Sequence, residues 1–187
     1  MDDPLFFNPT LHSNLASSFA SIHKACITTA PYTIATFLPP LDDTRLVNWW
    51  EDRLKEAADG RRKIIIQMAP NTTTGKPELA GYVMLLMPVT ETGPFRGTVE
   101  KLLVSPEHRR KGIAKRVMMR LEEIAREEKR TLLLLDTETG SPAEVIYPKL
   151  GYIEVGKIPD YGISPLDGSL KAGTFFYKNL LSSDKKT

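Results

Sequence analysis

The chain has 187 residues, 41% of them hydrophobic and 26% charged, with 25 Lys and Arg against 23 Asp and Glu. This ordinary globular composition argues against a chain disordered throughout, and one domain of this length buries roughly 70% of its unfolded surface without a disulfide or metal staple. A net charge of +2 is too small for wholesale nucleic-acid binding, and the single cysteine, Cys26, excludes an internal disulfide and thiolate metal clusters.

No metal site is expected, since His12, His23 and His108 have no ligand-like spacing with Cys26. Met1-Asp2-Asp3-Pro4 lacks the basic region of a signal peptide, and no apolar run approaches the ~20 residues of a membrane span. The expectation is a single soluble domain over 1–187, cytoplasmic with the nucleus left open, and without a membrane partner. About 1–10 and 181–187 are expected to be flexible; Ser182-Ser183-Asp184-Lys185-Lys186-Thr187 is the only disorder-like stretch.

Leu15, Phe19, Ile22 and Cys26 form one apolar helix face within 11–29, and Cys26 reads as core. Pro31 and Pro39-Pro40 predict a loop over 31–41. Asp42 or Asp43 can cap a second helix to about Ala58, stopped by Gly60, with Leu46, Trp50 and Leu54 on its stripe and Trp49 beside it. Lys63–Ala69, Leu79–Met87 and Thr98–Val104 read as three strands of an antiparallel meander, the first two joined by the polar loop 71–77.

The second half alternates. Gly112–Arg130 predicts an amphipathic helix with Ile113, Val117, Leu121 and Ile124 apolar. Leu132–Leu135 reads as a strand buried on both faces, Ser141–Leu150 as a short helix ended by Gly151, and Tyr152–Ile158 and Thr174–Tyr177 as closing strands. The order implies a mixed α/β or α+β sheet with helices on both faces. Met84, Met87, Met118 and Met119 read as packing.

The most informative stretch runs from Val104 to Arg116, where a strand ends and the long helix begins. The first N–H groups of a helix lack internal partners and carry partial positive charge, so such an end binds phosphate. Gly112 and Ala114 let a ligand approach, and Arg109, Arg110, Lys111, Lys115 and Arg116 add charge. This suits a pyrophosphate with a further phosphate nearby. A solvated basic turn and a nucleic-acid patch are the other readings; the acidic residues Glu122-Glu123 and Glu127-Glu128 weaken the latter. Neither a P-loop nor a dinucleotide fingerprint occurs.

Arg109-x-x-Gly112-x-Ala114 resembles the R/Q-x-x-G-x-G/A motif of the GNAT N-acetyltransferases. Val104-x-Pro106 precedes it, and Ala143-x-x-Ile146-Tyr147-x-Lys149-Leu150-Gly151-Tyr152 is similar to that family's second conserved segment. The resemblance covers about 95–160. Within the family, Asp136-Thr137-Glu138, Gly140-Ser141-Pro142-Ala143-Glu144 and Gly156-Lys157-Ile158-Pro159-Asp160-Tyr161 look like the branch that includes tabtoxin-resistance acetyltransferases.

The resemblance implies a mixed, mostly antiparallel sheet with a V-shaped opening that takes acetyl-CoA. It implies direct transfer of the acetyl group in a ternary complex to the primary amine of a small molecule, an amino-acid-like metabolite or toxin. A protein or peptide acetyltransferase and a non-catalytic acyl-CoA-binding module are the alternatives, and a homodimer is left open. The N–H groups of Arg110, Lys111, Gly112, Ile113 and Ala114 would hold the pyrophosphate, with Arg109 and Lys115 adding charge, and Leu102, Leu103 and Val104 would offer backbone groups to the pantetheine. Relatives often carry Asn where this chain has Gly140; Ser141 could replace that contact.

Amine acetylation needs a base, a donor to the developing oxyanion and an acid for the leaving thiolate. Tyr147 stands at the family's position for the acid, and a strand N–H such as that of Val104 can serve the oxyanion. Glu100 and Asp136 are the candidate bases; the plainer alternatives are an ion pair for Glu100 and a loop hydrogen bond for Asp136. Tyr32, Phe37, Trp49, Trp50 and Tyr161 could line an acceptor pocket. His108 reads as a phosphate-side or exposed residue.

Overall fold

The structure, a computed structural model, describes residues 2–181; Ser182–Thr187 lie outside the described residues. The chain runs β1 (Leu5–Phe6), α1 (Ala16–Thr28), α2 (Asp43–Ala58), β2 (Arg62–Pro70), β3 (Pro77–Leu86), β4 (Arg96–Val104), α3 (Ile113–Glu127), β5 (Leu132–Glu138), α4 (Pro142–Lys149), β6 (Ile153–Ile163) and β7 (Leu170–Asn179). The strands form a seven-stranded sheet in the order β1-β2-β3-β4-β5-β7-β6. Every pairing is antiparallel except β4 with β5.

Local chemistry accounts for the boundaries. The Asp42 carboxylate accepts a hydrogen bond from the Arg45 N–H at 2.9 Å and so caps α2. The four apolar positions read from α3 are all buried. Gly81 lets α3 lie close to the sheet, because a Cβ there would stand 2.9 Å from the Ile113 Cγ2.

One core layer packs α3 and α4 against β2 through β7, from Ile65 and Val83 across to Leu133, Leu135 and Phe176. The other holds α1 and α2 against β2, β3 and β4, through Phe19, Trp50, Ile64, Tyr82 and Leu103. Among the described residues, no helix covers β5, β7 and β6 on that second face. Leu134 is therefore 36% exposed while Leu133 and Leu135 are buried, which corrects the expectation of a strand covered on both faces.

Three further expectations are corrected. Within the first ten residues, Leu5 and Phe6 pair with Ile66 and Ile65, and Phe7 is 1% exposed. Met119 is exposed, on the outer side of α3, whereas the other three methionines of the set are buried. β6 and β7 are longer than read, because the Ile163–Leu170 pairing continues the hairpin past the polar and glycine residues of 159–162.

The sheet forks in its middle. β4 and β5 pair only through Arg96–Thr98 and Leu132–Leu134. Beyond this, β4 carries one extra residue relative to β3: Tyr82 faces Leu103 and Met84 faces Glu100, with Lys101 in the left-handed region at φ 53°. Such a bulge bends its strand. β5 meanwhile follows β7 to Glu138, so the parallel pair separates into a V.

Candidate active site

A cavity of about 910 Å³ lies in the fork. Its walls come from the end of β4, the turn and first residues of α3, the end of β5, α4, and the chain leaving α1. Ten of the eleven residues expected to bind a cofactor line it: Leu102, Leu103, Val104, Arg109, Arg110, Gly112, Ile113, Ala114, Lys115 and Ser141. Lys111 does not; its Nζ donates to the Glu107 carbonyl and contacts His108 Nδ1, both at 3.3 Å.

The turn before α3 leaves the start of the helix open. Arg110 and Gly112 are both left-handed, at φ 64° and 77°. No protein atom lies within 4 Å of where a Gly112 Cβ would stand, so glycine meets a backbone need here and leaves the approach open. The first intrahelical bond runs from the Arg116 N–H to the Gly112 carbonyl at 3.1 Å. The N–H groups of Ile113, Ala114 and Lys115 precede it and lack intrahelical acceptors.

Two expected contacts are already engaged within the protein. Arg109 donates through Nη1 to the Ala30 carbonyl at 2.6 Å and through Nη2 to Cys26 Sγ at 3.8 Å, so it ties the chain leaving α1 to the turn before α3. Ser141 caps α4, its Oγ accepting from the Glu144 N–H at 3.3 Å and lying 3.1 Å from Thr137 Oγ1. Cys26 is core as read, 2% exposed, with Sγ donating to the Val104 carbonyl at 3.4 Å. His108 is buried rather than exposed. Its Nε2 lies 2.8 Å from Glu78 Oε1, and Glu78 in turn accepts from the Asn71 amide at 2.7 Å.

Glu100 and Asp136 flank the fork on the same face. Each lies two residues beyond the last β4–β5 pair, Thr98 with Leu134, and strand residues two apart share a face. Their surroundings differ. The Glu100 carboxylate accepts from Arg62 Nη1 at 2.6 Å, and Arg62, 4% exposed, also pairs with Glu56 at 2.9 Å. The Asp136 carboxylate makes no hydrogen bond or ion pair with any described residue. Asp136 is accessible as a residue, yet its carboxyl is pushed above the ordinary carboxylate range: removal from water raises it, Lys101 opposes, and Glu100 adds to the rise.

Asp136 opens onto a second hollow of about 560 Å³ on the uncovered face, together with Thr98, Leu134, Val155, Ile158 and Phe175. Tyr161 stacks edge-on against Phe175 at 4.9 Å, and Asp136 holds its phenol above the usual range.

Tyr147 lies beneath the α4 wall, 5% exposed, with its ring 5.6 Å from Phe176 and 5.7 Å from Tyr152. Burial, and then the charge of Asp136, raise its phenol well above the usual value. Its hydroxyl bonds to no described residue and stays protonated at neutral pH. Of the candidate acceptor aromatics, Trp50 and Phe37 are core, Tyr32 lines the fork cavity, and Trp49 and Tyr161 are partly exposed.

Glu138 was not anticipated as a site residue. It lies at the end of β5, lines the fork cavity and accepts from the Ile34 N–H; burial raises its carboxyl despite Lys171. The available signal was the alternation Leu134, Asp136, Glu138 on one face of a strand longer than the apolar run.

Among the described residues no helix is long and apolar enough to cross a membrane, and no cluster of ligating side chains could hold a metal. The structure is similar over 95% of this chain to three solved proteins. A proposed acetyltransferase from Salmonella typhimurium, solved with acetyl-CoA, shares 17% identity over 92% of its own length, with a TM-score of 0.68. A ribosomal-protein-alanine N-acetyltransferase from Brucella melitensis shares 19% over 99%, with a TM-score of 0.70. A proposed phosphinothricin N-acetyltransferase shares 15% over 99%, also at 0.70. Such identities show the fold alone. Residues 29–152 match the acetyltransferase (GNAT) family itself, a span that holds both the anion-facing turn and the fork, and the chain belongs to that family.

Proposed function

We propose that the chain is an acetyl-CoA-dependent N-acetyltransferase, one catalytic domain over 1–187, acting in the cytoplasm on the primary amine of a small molecule by direct transfer with both substrates bound. The observation that carries this reading is the fork cavity, which joins an anion-facing helix start to a strand released from its neighbour. The likeness of 136–161 to tabtoxin-resistance acetyltransferases, and the phosphinothricin N-acetyltransferase among the similar structures, support a small acceptor.

The residues fit the co-substrate. The bare approach over Gly112, the free N–H groups of Ile113, Ala114 and Lys115, and the charges of Arg110 and Lys115 suit a diphosphate. Leu102, Leu103 and Val104 present backbone along the fork to the pantetheine. Acetyl-CoA supplies an activated acetyl group. Asp136, its carboxyl unpaired and held above the ordinary range, takes the proton of the acceptor amine. A strand N–H such as that of Val104 donates to the carbonyl oxygen as negative charge develops. Tyr147, protonated and unbonded, gives its proton to the departing sulfur. Glu100, held by Arg62, shapes the β4 side of the fork rather than moving a proton.

The test is release of CoA thiol with a panel of amines and a histone peptide, beside calorimetry of CoA binding. Acetylation of a small amine and at least ~100-fold weaker CoA binding by folded Gly112→Glu (about 2.7 kcal/mol) are expected. Unchanged affinity in that variant, or no transfer to any acceptor, overturns the reading.

A further inference from the structure

Across the fork, the Lys101 ammonium at the edge of the α2 cover and the Asp136 carboxylate on the bare face attract each other without forming an ion pair. Lys101 sits on the β4 bulge with its Nζ 5.7 Å from the centre of the Trp49 ring. That contact puts its side chain on the α2 side of the sheet, the face shared by Glu100, Asp136 and Thr98. Lys101 makes no hydrogen bond or ion pair with any described residue.

The surrounding charges are matched. Glu56 is held by Arg53 and Arg62, and Glu100 by Arg62. Lys157, which also borders the hollow around Asp136, is held by Glu144 at 3.3 Å. Lys101 and Asp136 are left, one each side of the fork, each within the other's field. A half-buried ammonium without a bonded acceptor is costly unless something supplies one.

We infer that Lys101 selects the acceptor by binding its carboxylate, so that the substrate is an amino acid with an apolar body. This rests on the transfer reading above and names its substrate class. The acceptor's ammonium lies at Asp136, which takes the proton before the nitrogen attacks. Its carboxylate reaches Lys101, beside Trp49. Its apolar part lies on Leu134, Val155, Ile158 and Phe175, which line the hollow. Lys101 is thus a specificity residue that touches the substrate away from the reacting atoms, and the bulge places it there by turning two consecutive side chains to one face.

The experiment compares leucine, methionine and phenylalanine with their carboxamides and their decarboxylated amines, using the full chain and acetyl-CoA. Wild type should favour the carboxylates at least tenfold in kcat/KM. Lys101→Met should remove that preference while changing turnover of the carboxamides less than threefold, and Lys101→Arg should keep most of it. Equal or better use of the uncharged analogues by wild type overturns the inference. So does an equal loss on acids and amides in Lys101→Met, the mark of a structural role. Acetylation of a histone peptide but of no amino acid overturns the carboxylate selection and the small-molecule acceptor while leaving acetyl transfer standing. Binding of acetyl-CoA with transfer to no acceptor overturns both.

Discussion

The two sides of the fork are built differently. β2, β3 and β4 are sandwiched between α1 and α2 on one face and α3 on the other, and Ile64, Ile65, Ile66, Tyr82, Val83, Met84 and Leu85 have no measurable exposure. β5, β7 and β6 are covered by α4 and α3 only, and Leu134, Val155, Ile158 and Tyr161 remain exposed on the other face. The same division runs through the charges. The Glu100 carboxylate, on the covered side, is bonded to a buried arginine, while the Asp136 carboxylate, on the open side, has no bonded partner among the described residues. On the proposed reading, the covered side supplies rigidity and the strand along which the co-substrate lies, and the open side supplies reachable chemistry.

The largest effect expected from that division is on turnover. Tyr147→Phe removes one hydroxyl from a packed ring and should lower kcat by roughly 10²–10⁴-fold with acetyl-CoA affinity little changed. A core role alone predicts near-normal turnover. Asp136→Asn should lower kcat similarly and abolish the acidic limb of the kcat/KM profile. The sign follows from the base having to be ionised: activity falls as pH drops through the Asp136 pKa, which lies above the ordinary carboxylate range. Glu100→Gln should keep that limb. A pH–rate series on both variants decides, and loss of the limb in Glu100→Gln but not in Asp136→Asn would place the base on the covered side.

Stability should divide the same way. Ile65 is fully buried, and Ile65→Ala should cost about 2–5 kcal/mol through lost burial and a residual cavity. Ile158 is 48% exposed, and Ile158→Ala should cost under about 1 kcal/mol. Urea titrations of the two variants measure the difference directly. Comparable losses would mean that the open face is covered in solution.

Much of this was legible in the sequence because it is local. The cap at Asp42, the α3 stripe and the glycine-containing basic turn each depend on residues within a few positions, and the second conserved segment located α4. The bulge at Lys101 was not legible, since it is defined by the count of residues on β3 opposite it. Nor was the pairing of Glu100 with Arg62, 38 positions earlier in the chain. The alternation through Asp136 and Glu138 was present in the sequence, but the apolar run Leu132–Leu135 masked it. That run suggests cover on both faces, and only the placement of α1 and α2 over β2–β4 shows that one face is bare.

The covered side should also be the more sensitive to acid. His23 has no measurable exposure; its Nε2 bonds the Ala35 carbonyl at 2.8 Å and its Nδ1 has no partner. Burial lowers its pKa from 6.5 to about 4, with the Ala35 bond opposing and Lys101 adding to the fall. The unfolded chain therefore binds a proton that the folded chain refuses between pH 6.5 and about 4, so stability falls as pH falls through this window. A 2.5-unit gap corresponds to about 3 kcal/mol. Urea midpoints between pH 7 and 4.5 should drop more in wild type than in His23→Gln, which removes the titrating group. Parallel curves would mean that the loss comes from carboxylates elsewhere.

The smallest expected effect concerns how the covered side holds the phosphate-side turn. Glu78, at the loop end of the β2–β3 hairpin, holds His108 Nε2 at 2.8 Å and is itself held by the Asn71 amide at 2.7 Å. The Asn71 amide first, and then His108, hold the Glu78 carboxyl below the usual range. His108 lines the fork cavity two residues before the left-handed Arg110. Glu78→Ala leaves the buried His108 Nε2 without its partner, a loss of about 1 kcal/mol for a bond of this kind. The turn then samples more conformations, and part of that freedom must be lost again when the diphosphate binds. Acetyl-CoA affinity should fall about 3–10-fold, as RT ln of that ratio requires, while kcat at saturating acetyl-CoA stays within twofold. Calorimetry of CoA binding beside the KM–kcat split reads this directly. An unchanged affinity would mean that the backbone bond from the His108 N–H to the Ser105 carbonyl, 2.9 Å long, fixes the turn unaided.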